Sequence, residues 1–319
     1  MRTILVTGAA GFIGSHLAER LAGSGYAVRG LDCYTDFYAR RLKQANAASV
    51  MQAGVSILPL DLSLDDLSTA FADVNVVFHL AAQPGLSARS DFQSYTRHNL
   101  IATHRLLEMA QRVGSIEAFI NVSTSSVYGI DATGDEHTEP RPASYYGVTK
   151  LAAEQLVLAH TREGRLPACS VRLFSVYGPR ERPDKLYPKL IHALLTDEPL
   201  PLFEGSEHHL RSYTYVRDIV DGLVAVLNNF ERCHGEIINL GSDTAITTGE
   251  GIRIVEDIVG RSARISRQPR RAGDQLKTHA NIGKARHLLG YTPHTLPQEG
   301  LAREVEWYRA QILGQGSSP

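Results

Sequence analysis

Arg2-Thr3-Ile4-Leu5-Val6-Thr7-Gly8-Ala9-Ala10-Gly11-Phe12-Ile13-Gly14 runs directly into Ser15-His16-Leu17-Ala18-Glu19-Arg20-Leu21-Ala22. The first six residues are rich in β-branched side chains and predict a short buried strand. Three glycines then mark a tight turn, and Ile13, Leu17 and Leu21 share one face of a helix. Strand, glycine turn and helix N-terminus together form an anion site. Backbone N–H groups and the helix dipole converge where a pyrophosphate would sit. Gly14 is expected to let the helix pack close to the strand.

Working outward, residues 26–31 predict a second strand ending at Asp32, 18 residues past Gly14. An acid there accepts both ribose hydroxyls of a dinucleotide and repels a 2′-phosphate. Cys33-Tyr34 offers no arginine to receive such a phosphate, so the expected cofactor is NAD. Apolar strands at 55–60, 74–80, 118–122 and 168–174 alternate with helices at 100–113 and 146–162. That order predicts an α/β fold with a doubly wound parallel (Rossmann) sheet. Asp32, Asp61, Ala81, Ala82, Thr124 and Ser175 all fall at the carboxyl ends of strands, where such sheets bind ligands. After Gly178 the pattern breaks, with prolines at 179, 183, 188, 199 and 201. The expected division is a dinucleotide-binding domain over 1–177, to which 213–242 returns. A smaller mixed α/β substrate domain is expected over 178–212 and 243–319, its last six residues frayed.

Composition narrows the function. A net charge of −1 over 319 residues supplies no field to attract nucleic acid or membrane. No apolar run approaches the ~20 residues of a membrane span. Cys33, Cys169 and Cys233 lack metal spacing and do not pair evenly, which predicts a reduced, cytoplasmic protein without a metal. A strand at the very start leaves no room for a signal peptide. His16, His79 and His98 are expected to be packing or surface residues.

The reaction chemistry is predicted by Tyr146 and Lys150, four residues apart on one helix face, and by Ser123-Thr124-Ser125-Ser126 before them. An ammonium beside a phenol favours the phenolate, and a nearby hydroxyl completes a proton relay. Tyr and Lys at this spacing occur by chance on many exposed helices. The glycine loop in the same half of the chain is what makes the pair informative.

These motifs resemble the extended short-chain dehydrogenase/reductase family, in particular its nucleotide-sugar epimerases acting on UDP-glucuronate. Gly8, Gly11, Phe12, Ile13 and Gly14 resemble its GxxGxxG loop, and Tyr146-Gly147-Val148-Thr149-Lys150 its YxxxK motif, with Thr124 at the catalytic hydroxyl position. The resemblance implies cofactor contacts from Asp32, Asp61, Leu62, Leu80, Ala81, Ala82, Asn99, Tyr146, Lys150 and Tyr177. It implies substrate contacts from Gln83, Ser125, Ser126, Ser175, Arg182, Arg211, Arg271 and Asp274. Asn99 also reads as a helix cap, and Arg180 as a solvated loop charge. A homodimer through the helices at 100–113 and 146–162 follows by the same resemblance.

Family dehydratases carry an acid pair after the threonine, and decarboxylases a glutamate at the place of Ser126. Ser125 and Ser126 therefore imply epimerisation through a 4-keto sugar. Arg182 implies the UDP-glucuronate-to-galacturonate reaction, since a guanidinium grips a carboxylate with two prongs. Lys185 in place of a methionine, and an arginine delayed to Arg89, depart from the family pattern near the sugar. UDP-glucose 4-epimerase, UDP-glucuronate decarboxylase and a non-catalytic NAD sensor are the alternatives.

Overall fold

The computed structural model describes residues 2–85, 90–270 and 275–314. Its centre is a seven-stranded parallel sheet. The strands are β1 (Thr3–Thr7), β2 (Ala27–Leu31), β3 (Ser56–Leu58), β4 (Val74–His79), β5 (Ala118–Thr124), and two more at Ala168–Leu173 and Ile237–Leu240. Across the sheet the order is Ile237–Leu240, Ala168–Leu173, β5, β4, β1, β2, β3. Helices α1 (Phe12–Gly23) and α2 (Arg40–Gln52) follow β1 and β2. Later come α3 (Phe92–Tyr95), α4 (Ala102–Val113) and α5 (Tyr145–Arg162).

Side-chain alternation divides the core into two layers. Ile4, Val6, Val76, Phe78 and Ile120 face Leu17, Ala18 and Leu21 of α1. Leu5, Val77 and Phe119 face Leu106, Leu107 and Ala110 of α4 and Val157 of α5. All of these are fully buried or nearly so, which is why these strands read as continuous apolar runs rather than alternating ones.

Two expected boundaries move. The strand expected to reach residue 60 ends at Leu58, after which Asp61 starts a turn whose Oδ1 accepts from Ser63 N at 2.8 Å. The helix expected from residue 100 begins at Phe92, capped by Asp91, and passes through a π-helical stretch, Thr96–Ile101, before α4. The wider turn places Asn99 inside, where its Oδ1 accepts from Gln83 N at 2.7 Å and its Nδ2 donates to Thr149 Oγ1 at 3.1 Å.

The remaining strands among the described residues form small sheets. Leu210–Arg211 pairs with Ile246–Thr247 and Lys277–Thr278, and the latter with Asp131–Ala132. Thr214–Tyr215 pairs with Val176–Tyr177, and Ile265–Gln268 with Leu200–Phe203.

Beneath α5 lies a buried ion pair. Arg172 Nε and Nη2 donate to Glu154 Oε2 and Oε1 at 3.0 and 2.6 Å, and the guanidinium stacks 4.7 Å over the Tyr128 ring. Both charged residues are essentially inaccessible. Removing one partner strands the other charge. Glu154→Ala is expected to cost ~3–5 kcal/mol, and Glu154→Leu with Arg172→Met to recover most of it, read by thermal and denaturant unfolding.

Candidate active site

The carboxyl ends of the strands open on a cavity of about 570 Å³. At one end the glycine turn forms a cradle. Gly8 takes φ +73°, and a Cβ on Gly14 would collide with the Gly8 carbonyl, so neither position admits a side chain. Asp32 Oδ2 accepts from Ala10 N at 3.1 Å and Oδ1 from Tyr34 N at 2.8 Å, which fastens the second strand end to the turn. Thr7 Oγ1 accepts from the amides of Leu80 and Ala81, both at 3.1 Å. His79 is buried between Thr7 and Thr103, and burial drives its imidazole down to about 3. It is a packing residue.

Gly8, Gly11, Phe12, Ile13, Gly14, Asp32, Asp61, Leu62, Leu80, Ala81 and Ala82 all line this cavity, as do Thr124, Tyr146 and Lys150. Burial opposes the charge on Asp61, but bonds from Ser63 and Arg97 outweigh it and hold the carboxyl below its usual range. Gln83, Ser125, Ser126, Ser175, Arg182 and Arg211 line the same space. Arg271, Asp274 and Arg89 lie outside the described residues.

The α5 helix begins at a Ser144 cap whose hydroxyl accepts from Gly147 N at 3.1 Å. Gly147 lets the helix approach β5's end, since a Cβ there would stand 2.7 Å from the Ser126 carbonyl. Tyr146 bonds Thr124 across this contact, and Lys150 Nζ donates to the Val122 carbonyl at 2.7 Å.

Two expectations are corrected. Tyr177 does not reach the cavity: on its short strand Val176 faces the cavity and Tyr177 the opposite side, packed against Tyr187 and Tyr215. Asn99 sits behind the wall, holding Gln83 and Thr149 rather than lining the cofactor space. Burial pushes Tyr146 up, while the Thr124 hydroxyl and the Arg182 guanidinium pull it back. The Lys150 ammonium donates to a backbone carbonyl, and burial drives it down to about 8 against the charge of Glu154.

Sequence reasoning missed Lys43. It is buried at the start of α2, donates to Thr35 Oγ1 at 2.7 Å and adds a cation beside Asp32. Only the fold-back of residues 33–39 brings it there, so no spacing signalled it. His98 lines the cavity, which its expected packing or surface role did not include. Arg180 pairs with Glu19 of α1 at 2.8 Å rather than with solvent.

A glycine cradle at a helix start, an acid at the second strand end and a Tyr–Lys–Thr group fit a dinucleotide beside a reacting alcohol. The fold and site define a dinucleotide-dependent enzyme. The chain belongs to the NAD dependent epimerase/dehydratase family, which residues 4–241 match. A Bacillus subtilis (strain 168) relative described as an uncharacterized UDP-glucose epimerase, YtcB, is 38% identical over 98% of this chain and 99% of its own. UDP-glucuronate 4-epimerase 4 of Arabidopsis thaliana is 34% identical over 98% of this chain and 76% of its own. The crystal structure of UDP-glucuronic acid 4-epimerase from Bacillus cereus with UDP-glucuronic acid and NAD superposes with a TM-score of 0.92. It is 38% identical and covers 96% of this chain and 99% of that one. Among the described residues no helix is long and apolar enough to cross a membrane, and no cluster is suited to a metal ion.

Lys150 carries a testable cost. Its folded pKa lies below the 10.5 of a free lysine, so the penalty is full below about pH 8 and relieved as pH rises toward 10.5. Lys150→Met is expected to lower turnover ~10²-fold or more while raising Tm by roughly 3 °C at neutral pH, read by calorimetry.

Proposed function

We propose that the protein catalyses NAD-dependent 4-epimerisation of a UDP-sugar, converting UDP-glucuronate to UDP-galacturonate. The observation that carries the choice of sugar is Arg182. Its side chain is almost fully buried at the cavity wall, beside Gly85 and over the Phe37 ring at 5.1 Å. One edge of the guanidinium meets Asp184 at 3.1 Å, and Nη1 has no acceptor among the described residues. A buried guanidinium edge without an acceptor favours a carboxylate over the neutral hydroxymethyl of glucose.

NAD, when bound, supplies the acceptor and donor of the hydride at sugar C4. The chain's residues do the rest. Gly8, Gly11 and Gly14 with the start of α1 receive the pyrophosphate, and Asp32 the ribose. Tyr146, as phenolate, takes the proton of the 4-hydroxyl and later returns it to the oxygen of the 4-keto sugar, once the sugar has turned to present its opposite face for the returning hydride. Thr124 orients that proton, and Arg182 and Thr124 both favour the phenolate. Lys150 holds its place at the β5 end through Val122. Ser125 and Ser126 supply hydroxyls where elimination would need acids. Arg182 and Ser175 hold the sugar carboxylate out of alignment with the ketone π-system, which restrains loss of CO₂.

UDP-glucose is the second reading, favoured by the description of the B. subtilis relative. The domain division stays part of the proposal: 1–177 with 213–242 for the cofactor, the remainder for the nucleotide sugar. So does a homodimer, supported by an exposed apolar strip of Phe92, Ile101, Tyr145 and Val148 beside α4 and α5. Three free cysteines support a cytoplasmic setting.

One preparation assayed on both sugars decides the substrate. UDP-glucuronate is expected to turn over and UDP-glucose to lag, and the reverse order rejects the glucuronate assignment. Arg182→Ala is expected to raise KM for UDP-glucuronate by ~10–100-fold, the worth of a charged hydrogen bond, with little change in KM for UDP-glucose, while the lost support of the phenolate lowers kcat on both sugars. Tyr146→Phe is expected to lower kcat by ~10²–10⁴-fold, the usual contribution of a general base. Val148→Asp is expected to give monomers by light scattering.

A further inference from the structure

Glu181 and Glu304 are buried acids that this chemistry leaves unused. Glu304 belongs to the Pro297–Tyr308 helix and Glu181 to the loop before Arg182, and they are 0% and 9% exposed. Their carboxyl groups face one another. Among the described residues no side-chain donor meets Glu181 Oε2 or either Glu304 oxygen, and the donor that acts on Glu304 is the Gly178 amide. One proton held between the two acids satisfies both, and it removes a like-charge repulsion that burial would make severe.

The pair faces charges and phenols from every side. From its own loop, Lys185 and Arg182 pull Glu181 down and Asp184 pushes it up, while the Gly178 amide draws on Glu304. Tyr187, Tyr177 and Tyr213 surround the acids from neighbouring segments. Burial outweighs these and pushes Glu181 up to about 8 and Glu304 well above the carboxylate range.

What the pair secures is the 178–185 loop. Arg180, a non-glycine residue, takes φ 72°, so the loop is not at its relaxed backbone geometry there and depends on its ties. Two ties run to α1: His16 Nε2 to the Pro179 carbonyl at 2.9 Å, and Arg180 to Glu19. The tie on the other side is Glu304. Arg182 follows Glu181 directly.

We propose that Glu304 is a positioning residue: through a proton shared with Glu181 it holds the loop that presents Arg182 to the sugar carboxylate. This rests on the role given to Arg182 above. A folded pKa raised above the unfolded value means stability that is full below the free glutamate range and lost as pH rises toward about 8 and beyond.

The test measures KM and kcat for UDP-glucuronate against pH in the full-length enzyme, its Glu304→Gln variant and its Glu181→Gln variant, with melting curves in parallel. In the parent enzyme KM is expected to rise ~5-fold or more from pH 7 to 9, and in Glu304→Gln to stay level, because the amide donates to Glu181 without a proton to lose. Titration of Tyr146 or Lys150 affects parent and variant alike and cancels in the comparison. Glu181→Gln is expected to behave as Glu304→Gln does. The parent's Tm is expected to fall more steeply with pH than that of either variant. Coincident KM profiles overturn the positioning role, and coincident melting profiles overturn the shared proton. A parent enzyme that turns over UDP-glucose alone removes the carboxylate grip, and the positioning role falls with it. That outcome is recognised without reference to any variant.

Discussion

The bond from the Lys150 ammonium to the Val122 carbonyl joins helix α5 to the end of β5. An ammonium buried this deeply is stable only with compensation. The carbonyl supplies part of it, and Glu154, one turn further along α5, supplies the rest. Glu154 in turn is held by Arg172, whose guanidinium rests on Tyr128. A line of alternating charges, Lys150, Glu154 and Arg172, thus runs along the contact between helix and sheet. It sets the height of α5 over the strand ends and therefore where Tyr146 meets Thr124.

The same burial works against the chemistry. It favours the neutral form of both partners, raising the Tyr146 phenol and lowering the Lys150 ammonium. The phenolate must be favoured by groups that reach it, and Thr124 and Arg182 are among them. Arg182 comes from the loop after Gly178, so the segment proposed to grip the sugar also acts on the base. That coupling explains why the loop is tied on both sides, to α1 through Pro179 and Arg180 and towards the Pro297–Tyr308 helix through Glu181.

The legible parts of the site are those set by short-range pattern. Gly8, Gly11 and Gly14 are readable because a turn against a helix start excludes side chains there, and Asp32 because it ends the next strand. Tyr146 and Lys150 are readable because a helix repeats every four residues. Each is a local constraint that leaves its mark on neighbouring letters. The short strand at Val176–Tyr177 was not read, nor which way it faced: alternation sends one of two adjacent residues inward, and only the pairing with Thr214–Tyr215 decides which.

The sequence by itself determined the sheet, the order of strands and helices, and the identity of the glycine turn and the Tyr–Lys pair, because apolar periodicity and turn chemistry act between near neighbours. Tertiary structure alone decided that Lys43 lies beside Asp32, that Asn99 supports Gln83 from behind, that Lys150 bonds the Val122 carbonyl, and that Glu304 meets Glu181. These are contacts between segments far apart in the chain. Their strength comes from burial, and burial exists only once the layers have closed over them.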